Sequence, residues 1–111
     1  MGRQDQLEPV KGRAKRDGNL EGKPQLSLVF EFRRALEGAA RSFGEGVEKY
    51  GRGNWKKGMP PEEVIDSMGR HLLALMSGEL IDEKSGLPHV DKITSNALML
   101  AEYFHMDNPS Q

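Results

Sequence analysis

The sequence predicts an all-α protein, a three-helix bundle behind an extended basic arm. Three observations lead there. Apolar residues recur at three- and four-residue steps in three separate segments. Prolines mark the starts of the second and third of those segments, with acids in the first turn of the second. Glycine-bearing loops and turns separate them.

A chain of 111 residues is expected to form one domain. Its hydrophobic fraction of 36% barely exceeds its charged fraction of 30%, so the core of a single copy should be modest. Self-association is the natural way to bury more apolar surface, and a homodimer or higher homo-oligomer is expected. A net charge of −1 argues against long nucleic acid as a partner. The chain has no cysteine, which removes disulfides and thiol catalysis. No apolar run approaches the roughly 18 residues of a membrane span, and residues 1–18 lack the apolar centre of a signal peptide. The expected location is the cytoplasm, with no membrane partner.

Residues 1–24 read as a polar basic arm carrying Lys11, Arg13, Lys15 and Arg16, and residues 25–107 as a single helical domain. Pro24 disfavours helix at Lys23, and Ser27 is a fitting N-cap. From Leu28 to about Tyr50, Val29, Phe32, Leu36, Ala39, Ala40, Phe43 and Val47 form one apolar stripe. On a helical wheel Glu37 and Glu48 flank that stripe, whereas Glu31 and Glu45 fall on the solvent side. Glu37 and Glu48 are therefore the first-helix acids placed to reach an interhelical site.

Residues 49–58, KYGRGNWKKG, form a basic, aromatic loop. Lys49, Arg52 and Lys56 suit phosphates, and Trp55 with Asn54 suits a base. The competing reading makes Trp55 a packing anchor. Pro60-Pro61-Glu62-Glu63 opens a second helix predicted over 61–80, with Val64, Ile65, Met68, Leu72, Leu75 and Met76 as its stripe. If the helix persists, Glu79 and Asp82 share its apolar face at i and i+3 and are candidates to hold one divalent ion. Alternatively, Gly78 ends the helix and releases both side chains.

The segment DEKSGLPH reads as a turn, with Pro88 presetting a third helix over 89–105. Val90, Ile93, Ala97, Leu100, Ala101 and Phe104 form its stripe, and His89 and Asn96 share a flank. The turn should gather Asp82, Ser85 and His89. Arg70 and His71 lie more than two helical turns from Glu79, and His71 stands about 16 Å from Asp82 along a straight helix. The stretch Arg70–His89 thus reads as two contact points on one groove. In a simple antiparallel hairpin Glu48 would also be remote from Glu79 of its own chain, so an ion shared by the two would call for a second subunit. His71 reads either as a phosphate contact or as a satisfied interhelical histidine.

These residues carry a resemblance. Gly22-Lys23-Pro24 with Leu26-Ser27-Leu28, Lys49-Tyr50-Gly51 with Asn54-Trp55, and Arg70-His71 occur in one order. Gly78-Glu79 with Asp82, Ser85-Gly86-Leu87-Pro88-His89 and Asn96-Ala97 follow. The set resembles a phage family named for dATP/dGTP diphosphohydrolase (MazZ-like), related to the all-helical MazG-like nucleotide pyrophosphohydrolases. The resemblance implies a MazG-like bundle and a nucleotide site using Mg²⁺ or Mn²⁺. It implies hydrolysis of a purine deoxynucleoside triphosphate to monophosphate and pyrophosphate. On that basis Glu48, Glu79 and Asp82 would hold metal and join His89 in catalysis. Lys49, Arg52, Asn54, Trp55, Lys56, Arg70, His71, Ser85 and Asn96 would contact the nucleotide. Relatives usually carry a second histidine shortly after the position of His89, where this chain has Val90-Asp91-Lys92, and the full MazG acid pattern is absent. Those departures favour the alternative, a phage protein that binds or sequesters a nucleotide or nucleotide-derived signal without turnover.

Overall fold

The computed structural model describes residues 22–109. The basic cluster Lys11, Arg13, Lys15 and Arg16 lies outside them. Among the described residues there are four α-helices: α1 (Ser27–Phe30), α2 (Arg33–Tyr50), α3 (Pro61–Met76) and α4 (His89–Asp107). A single 3-10 turn, Asn54–Lys57, lies between α2 and α3. The all-α class expected from the periodicity is the one observed. No helix of the described residues is long and apolar enough to cross a membrane. The chain divides into two units, Met1–Glu31 and Phe32–Gln111.

The helix expected to run unbroken from Leu28 is interrupted. α1 is one turn long, and Phe32, at φ −90° and ψ 50°, leaves helical space before α2 begins. Ser27 is the first residue of α1 rather than its cap, and the N-cap position belongs to Leu26. Gly51, at φ +90°, ends α2 in a conformation that side chains resist. α3 opens on Pro61 with Glu62 and Glu63 in its first turn, as the sequence predicts. It stops at Met76, four residues earlier than expected.

In the second unit α4 is the central helix, and α2 and α3 both pack on it. Each contact uses one edge of the apolar stripe read from the sequence, Ala39 on α2 and Val64 on α3, together with small and polar neighbours. The buried face of α2 is Gly38, Ala39 and Ser42, turned roughly a third of a revolution from the Phe32–Leu36–Phe43–Val47 line by the 100°-per-residue wheel. Chemistry explains the rotation. Gly38 has no side chain, and the carboxylate of Asp91 from α4 occupies the space a Cβ would fill. Ser42 Oγ and Ser95 Oγ hydrogen-bond at 2.7 Å, and Arg41 stands 3.8 Å from Asp91. Lys92 pairs with Glu45. Small and polar residues thus let the backbones approach and satisfy one another, while Val47 and Tyr50 of α2 face outward and Leu36 and Phe43 are half-buried.

α3 turns its Val64, Ser67 and His71 positions toward α4, where Asn96 Nδ2 donates to Ser67 Oγ at 3.2 Å. Ile65, Leu72, Leu73 and Met76 remain exposed. The only hydrophobic side chains buried among the described residues are Ala39 and Val64, so interhelical polar contacts carry an unusual share of the packing. Trp55 is held by Tyr103, whose hydroxyl donates to the Trp55 carbonyl at 2.6 Å, with ring centroids 6.2 Å apart. That contact fits the packing-anchor reading.

Gly38→Ala should lower stability by about 1–3 kcal/mol because the new methyl overlaps Asp91. Gly44→Ala, in the same helix with open space around it, should raise stability by about 0.5–1 kcal/mol. Urea-denaturation midpoints of the two variants check both signs.

Candidate functional site

A helix stop, a tight return and a helix start build the site. Gly78, at φ +97°, ends α3 in a Schellman motif. Gly78 N donates to the Leu75 carbonyl and Glu79 N to the Ala74 carbonyl, both at 3.0 Å. The chain then reverses. Asp82 N donates to the Leu87 carbonyl at 2.8 Å, and His89 N to the Leu80 carbonyl at 2.9 Å. Ile81 and Pro88 form an antiparallel bridge. Inside the return Asp82 Oδ2 accepts from Ser85 Oγ at 2.7 Å and from Ser85 N at 3.3 Å, and Ser85 Oγ accepts from Leu87 N. These bonds hold the Asp82 carboxyl below its ordinary range, the Ser85 hydroxyl contributing most.

Because the chain doubles back, α4 begins beside the middle of α3. His89 Nδ1 lies 2.8 Å from His71 Nδ1, and His89 Nε2 lies 2.7 Å from Glu79 Oε2. Glu79, His89 and His71 therefore form one hydrogen-bonded chain. His89 is buried at 3% exposure, whereas the Glu79 side chain is half exposed. Burial lowers the pKa of His71, and repulsion from His89 and Arg70 adds to that, against an opposing pull from Asp82.

A cleft of about 400 Å³ opens beside this chain. α2 contributes Glu45 and Lys49, α3 contributes Arg70 and His71, and the return contributes Asp82, Lys84 and Ser85. His89 and Lys92 of α4 complete the lining. Four basic side chains thus stand against two carboxylates. Glu45 sits between Lys49, at 3.5 Å, and Lys92. It orders both lysines at the rim without cancelling their combined charge. Burial lowers the pKa of Lys92.

The structure brings together Lys49, Arg70, His71, Asp82, Ser85 and His89 of the residues expected from the sequence, with Glu79 bonded behind His89. The expectation that Arg70 and His71 serve a separate contact point is overturned. It assumed α3 persisting to residue 80, and the Schellman stop returns His89 to His71. For the same reason Glu79 and Asp82 do not share a helix face. Glu48 is exposed and Glu45 lines the cleft, the reverse of the wheel reading, because α2 is rotated about its axis. Asn54, Trp55 and Lys56 lie in the 3-10 turn, with Arg52 just before it, and none is in the cleft lining, while Asn96 bonds Ser67. Sequence reasoning missed Lys84 and Lys92. Lys92 follows His89 by three residues, a spacing that places both on one helical face, and that signal was available.

The donor set does not suit a resident divalent ion held by one chain. Among the described residues no three His, Cys, Asp or Glu side chains converge as metal ligands. Glu79 is committed to His89 and one Asp82 oxygen to Ser85, while the cleft is predominantly cationic. Such a lining favours an anion.

The family described as "dATP/dGTP diphosphohydrolase, N-terminal" matches residues 13–110. The chain belongs to this family. A relative within the same naming, the dATP/dGTP diphosphohydrolase of Salmonella phage PMBT28, is 35% identical over 80 residues. That alignment covers 72% of this chain and 27% of the relative, so the matched region is about a quarter of the relative's length. No solved structure matches the chain. Each element of the cleft lies inside the region that defines the family.

The lowered pKa of His71 has a consequence for stability. The unfolded chain takes up a proton near the ordinary 6.5, whereas the folded chain resists until lower pH. The stabilising contribution is complete above 6.5 and is lost as pH falls through the depressed folded value. Thermal melts between about pH 7.5 and 5.5 should show a steeper acid-side loss for the wild type than for His71→Gln. Parallel curves would contradict this.

Proposed function

We propose that the chain is a nucleotide-binding hydrolytic module. It takes a purine deoxynucleoside triphosphate as its Mg²⁺ or Mn²⁺ complex and releases monophosphate and pyrophosphate. On this reading it acts on nucleotide pools in the cytoplasm of a phage-infected cell. The observation that carries the reading is the meeting, in one cleft, of four basic side chains with a hydrogen-bonded Glu79–His89–His71 chain. The name of the phage relative, a dATP/dGTP diphosphohydrolase, supports the substrate class.

A divalent ion would enter with the substrate and would supply charge neutralisation on the phosphates. The chain's own residues do the rest. Lys49, Lys84, Lys92 and Arg70 take the phosphate charge, and Arg70 can do so through two parallel N–H groups. When phosphate oxygens reach Lys49 and Lys92, they compete with Glu45 for the same ammonium groups. Ser85 offers its edge of the return, braced by Asp82.

A second reading has a specific observation behind it. The convergent acid cage implied by the MazG resemblance does not form among the described residues of one chain, which favours binding or sequestration of a nucleotide or nucleotide-derived signal. Incubation with a panel of nucleoside triphosphates and Mg²⁺ or Mn²⁺ separates the two readings. Anion-exchange chromatography should show monophosphate and pyrophosphate in equal amounts. Ligand-induced thermal stabilisation with no product from any substrate would establish the binder instead. Lys92→Ala should weaken nucleotide binding about 5- to 30-fold, the loss of one charge-assisted contact, as read by calorimetry.

We also propose that the chain acts as a homodimer or higher homo-oligomer. Phe32, Ile65, Leu72, Leu73 and Met76 are each about half or more exposed, and a second copy that covers them would supply the apolar burial the single chain lacks. Light scattering after size exclusion should give a mass at least twice 12.4 kDa. Leu73→Glu should reduce it to one copy.

A further inference from the structure

The Glu79–His89–His71 chain contains more information than its distances. A carboxylate accepts hydrogen bonds and does not donate them. Glu79 Oε2 therefore receives the proton on His89 Nε2 across the 2.7 Å contact. With His89 as a neutral imidazole, which carries a single N–H, its Nδ1 is a bare acceptor. The 2.8 Å contact between the two Nδ1 atoms then requires the proton to sit on His71. By the same count His71 Nε2 is bare. Two N–H groups cannot face each other at that distance, so the first added proton goes to His71 Nε2. Among the described residues that nitrogen has no hydrogen-bond partner, and it is not among the buried unsatisfied atoms. It is open to solvent in a residue that lines the cleft.

His89, by contrast, has no nitrogen left for a ligand. Both ring nitrogens are engaged, and the residue is 3% exposed. The catalytic role that the resemblance implies for His89 is therefore not one of direct contact with the ligand.

We infer that His71 is the general base of the hydrolysis, presenting a bare Nε2 to the attacking water, and that His89 and Glu79 are positioning residues that fix its tautomer. The inference rests on the hydrolase reading for its chemistry and on geometry alone for the tautomer. In the step, the water oxygen bonds to the phosphorus while one water proton passes to His71 Nε2. The bond from phosphorus to the bridging oxygen breaks, and its electron pair leaves with pyrophosphate. The imidazolium formed at His71 donates through Nδ1 to His89, which donates in turn to Glu79, so the new positive charge is held at the end of a chain that closes on a carboxylate. Other charges facing His71 are Arg70 on its own helix, Asp82 in the return, and the Glu45–Lys49 pair of α2 across the cleft. Burial of His71 supports a neutral ring at the start of the step.

The tautomers are read without substrate, from two-bond ¹H–¹⁵N correlations of the imidazoles in ¹⁵N-labelled wild-type protein at neutral pH. The inference expects protonated Nδ1 and bare Nε2 on His71, with the opposite pattern on His89. A proton on His71 Nε2 overturns it. In Glu79→Leu the acceptor is gone, and the His71 pattern should shift toward a mixture of tautomers; an unchanged pattern overturns the positioning role. With substrate, His71→Gln should lower kcat by about 10²–10⁴-fold while a non-hydrolysable α,β-methylene nucleotide still binds. Glu79→Leu should displace the acid limb of the kcat profile. Wild-type turnover in His71→Gln overturns the base assignment and leaves the hydrolase reading standing. Absence of turnover in the wild type, with the expected tautomers, defeats the hydrolase reading and the base role with it.

Discussion

The hydrogen bond between His71 and His89 joins side chains eighteen residues apart, and it exists because the chain between them makes a tight return. Gly78 adopts a positive φ that lets two backbone N–H groups cap the last carbonyls of α3. The Asp82–Ser85 bonds and the Ile81–Pro88 bridge then set the width of the return. Pro88 starts α4 where its first residue meets the middle of α3. Had α3 continued one more turn, His89 would emerge about 5 Å further along the axis, out of reach of His71. The cleft, the relay and the cation cluster all follow from this stop.

The second constraint is the polar seam between α2 and α4. Asp91 fills the space over Gly38, Ser42 meets Ser95, and Lys92 reaches Glu45. A seam of this kind contributes little by burial, since hydrophobic stabilisation scales with apolar area. It gives instead a fixed rotation of α2. That rotation brings Glu45 and Lys49 to the cleft and turns Phe32 and Val47 outward. One Asp91 oxygen is buried without a hydrogen bond, a cost tolerated in the first turn of α4, where the helix dipole favours a negative charge. The same geometry that orders the site leaves apolar surface uncovered, which links the catalytic proposal to self-association.

The sequence was informative wherever a local rule decides the structure. Pro61 with its acids, Pro88, and the glycine after α2 all mark real boundaries. The return gathers Asp82, Ser85 and His89 as its composition implied. His89 and Asn96 share a flank of α4, and both face α3, though Asn96 bonds Ser67 there. The wheel failed on α2 because it ranks faces by apolarity, while this interface is chosen by the absence of a side chain at Gly38 and by polar pairing. For Glu79 the sequence left a continued helix and a Gly78 stop both open, and the hydrogen bonds decide for the stop. Lys84 lies in a turn and carries no periodic signal, and although Lys92 shares a helical face with His89, only the fold places four cations around one space.

The central claim is that this cleft, and not the aromatic turn at Trp55, receives the phosphates. A ¹H–¹⁵N correlation titration with the Mg²⁺ complex of a non-hydrolysable deoxyguanosine triphosphate analogue tests it directly. The account predicts saturable shifts concentrated at Lys49, Arg70, His71, Lys84, Ser85 and Lys92. Shifts confined to Gly53–Lys57, with the cleft residues unmoved, would contradict it.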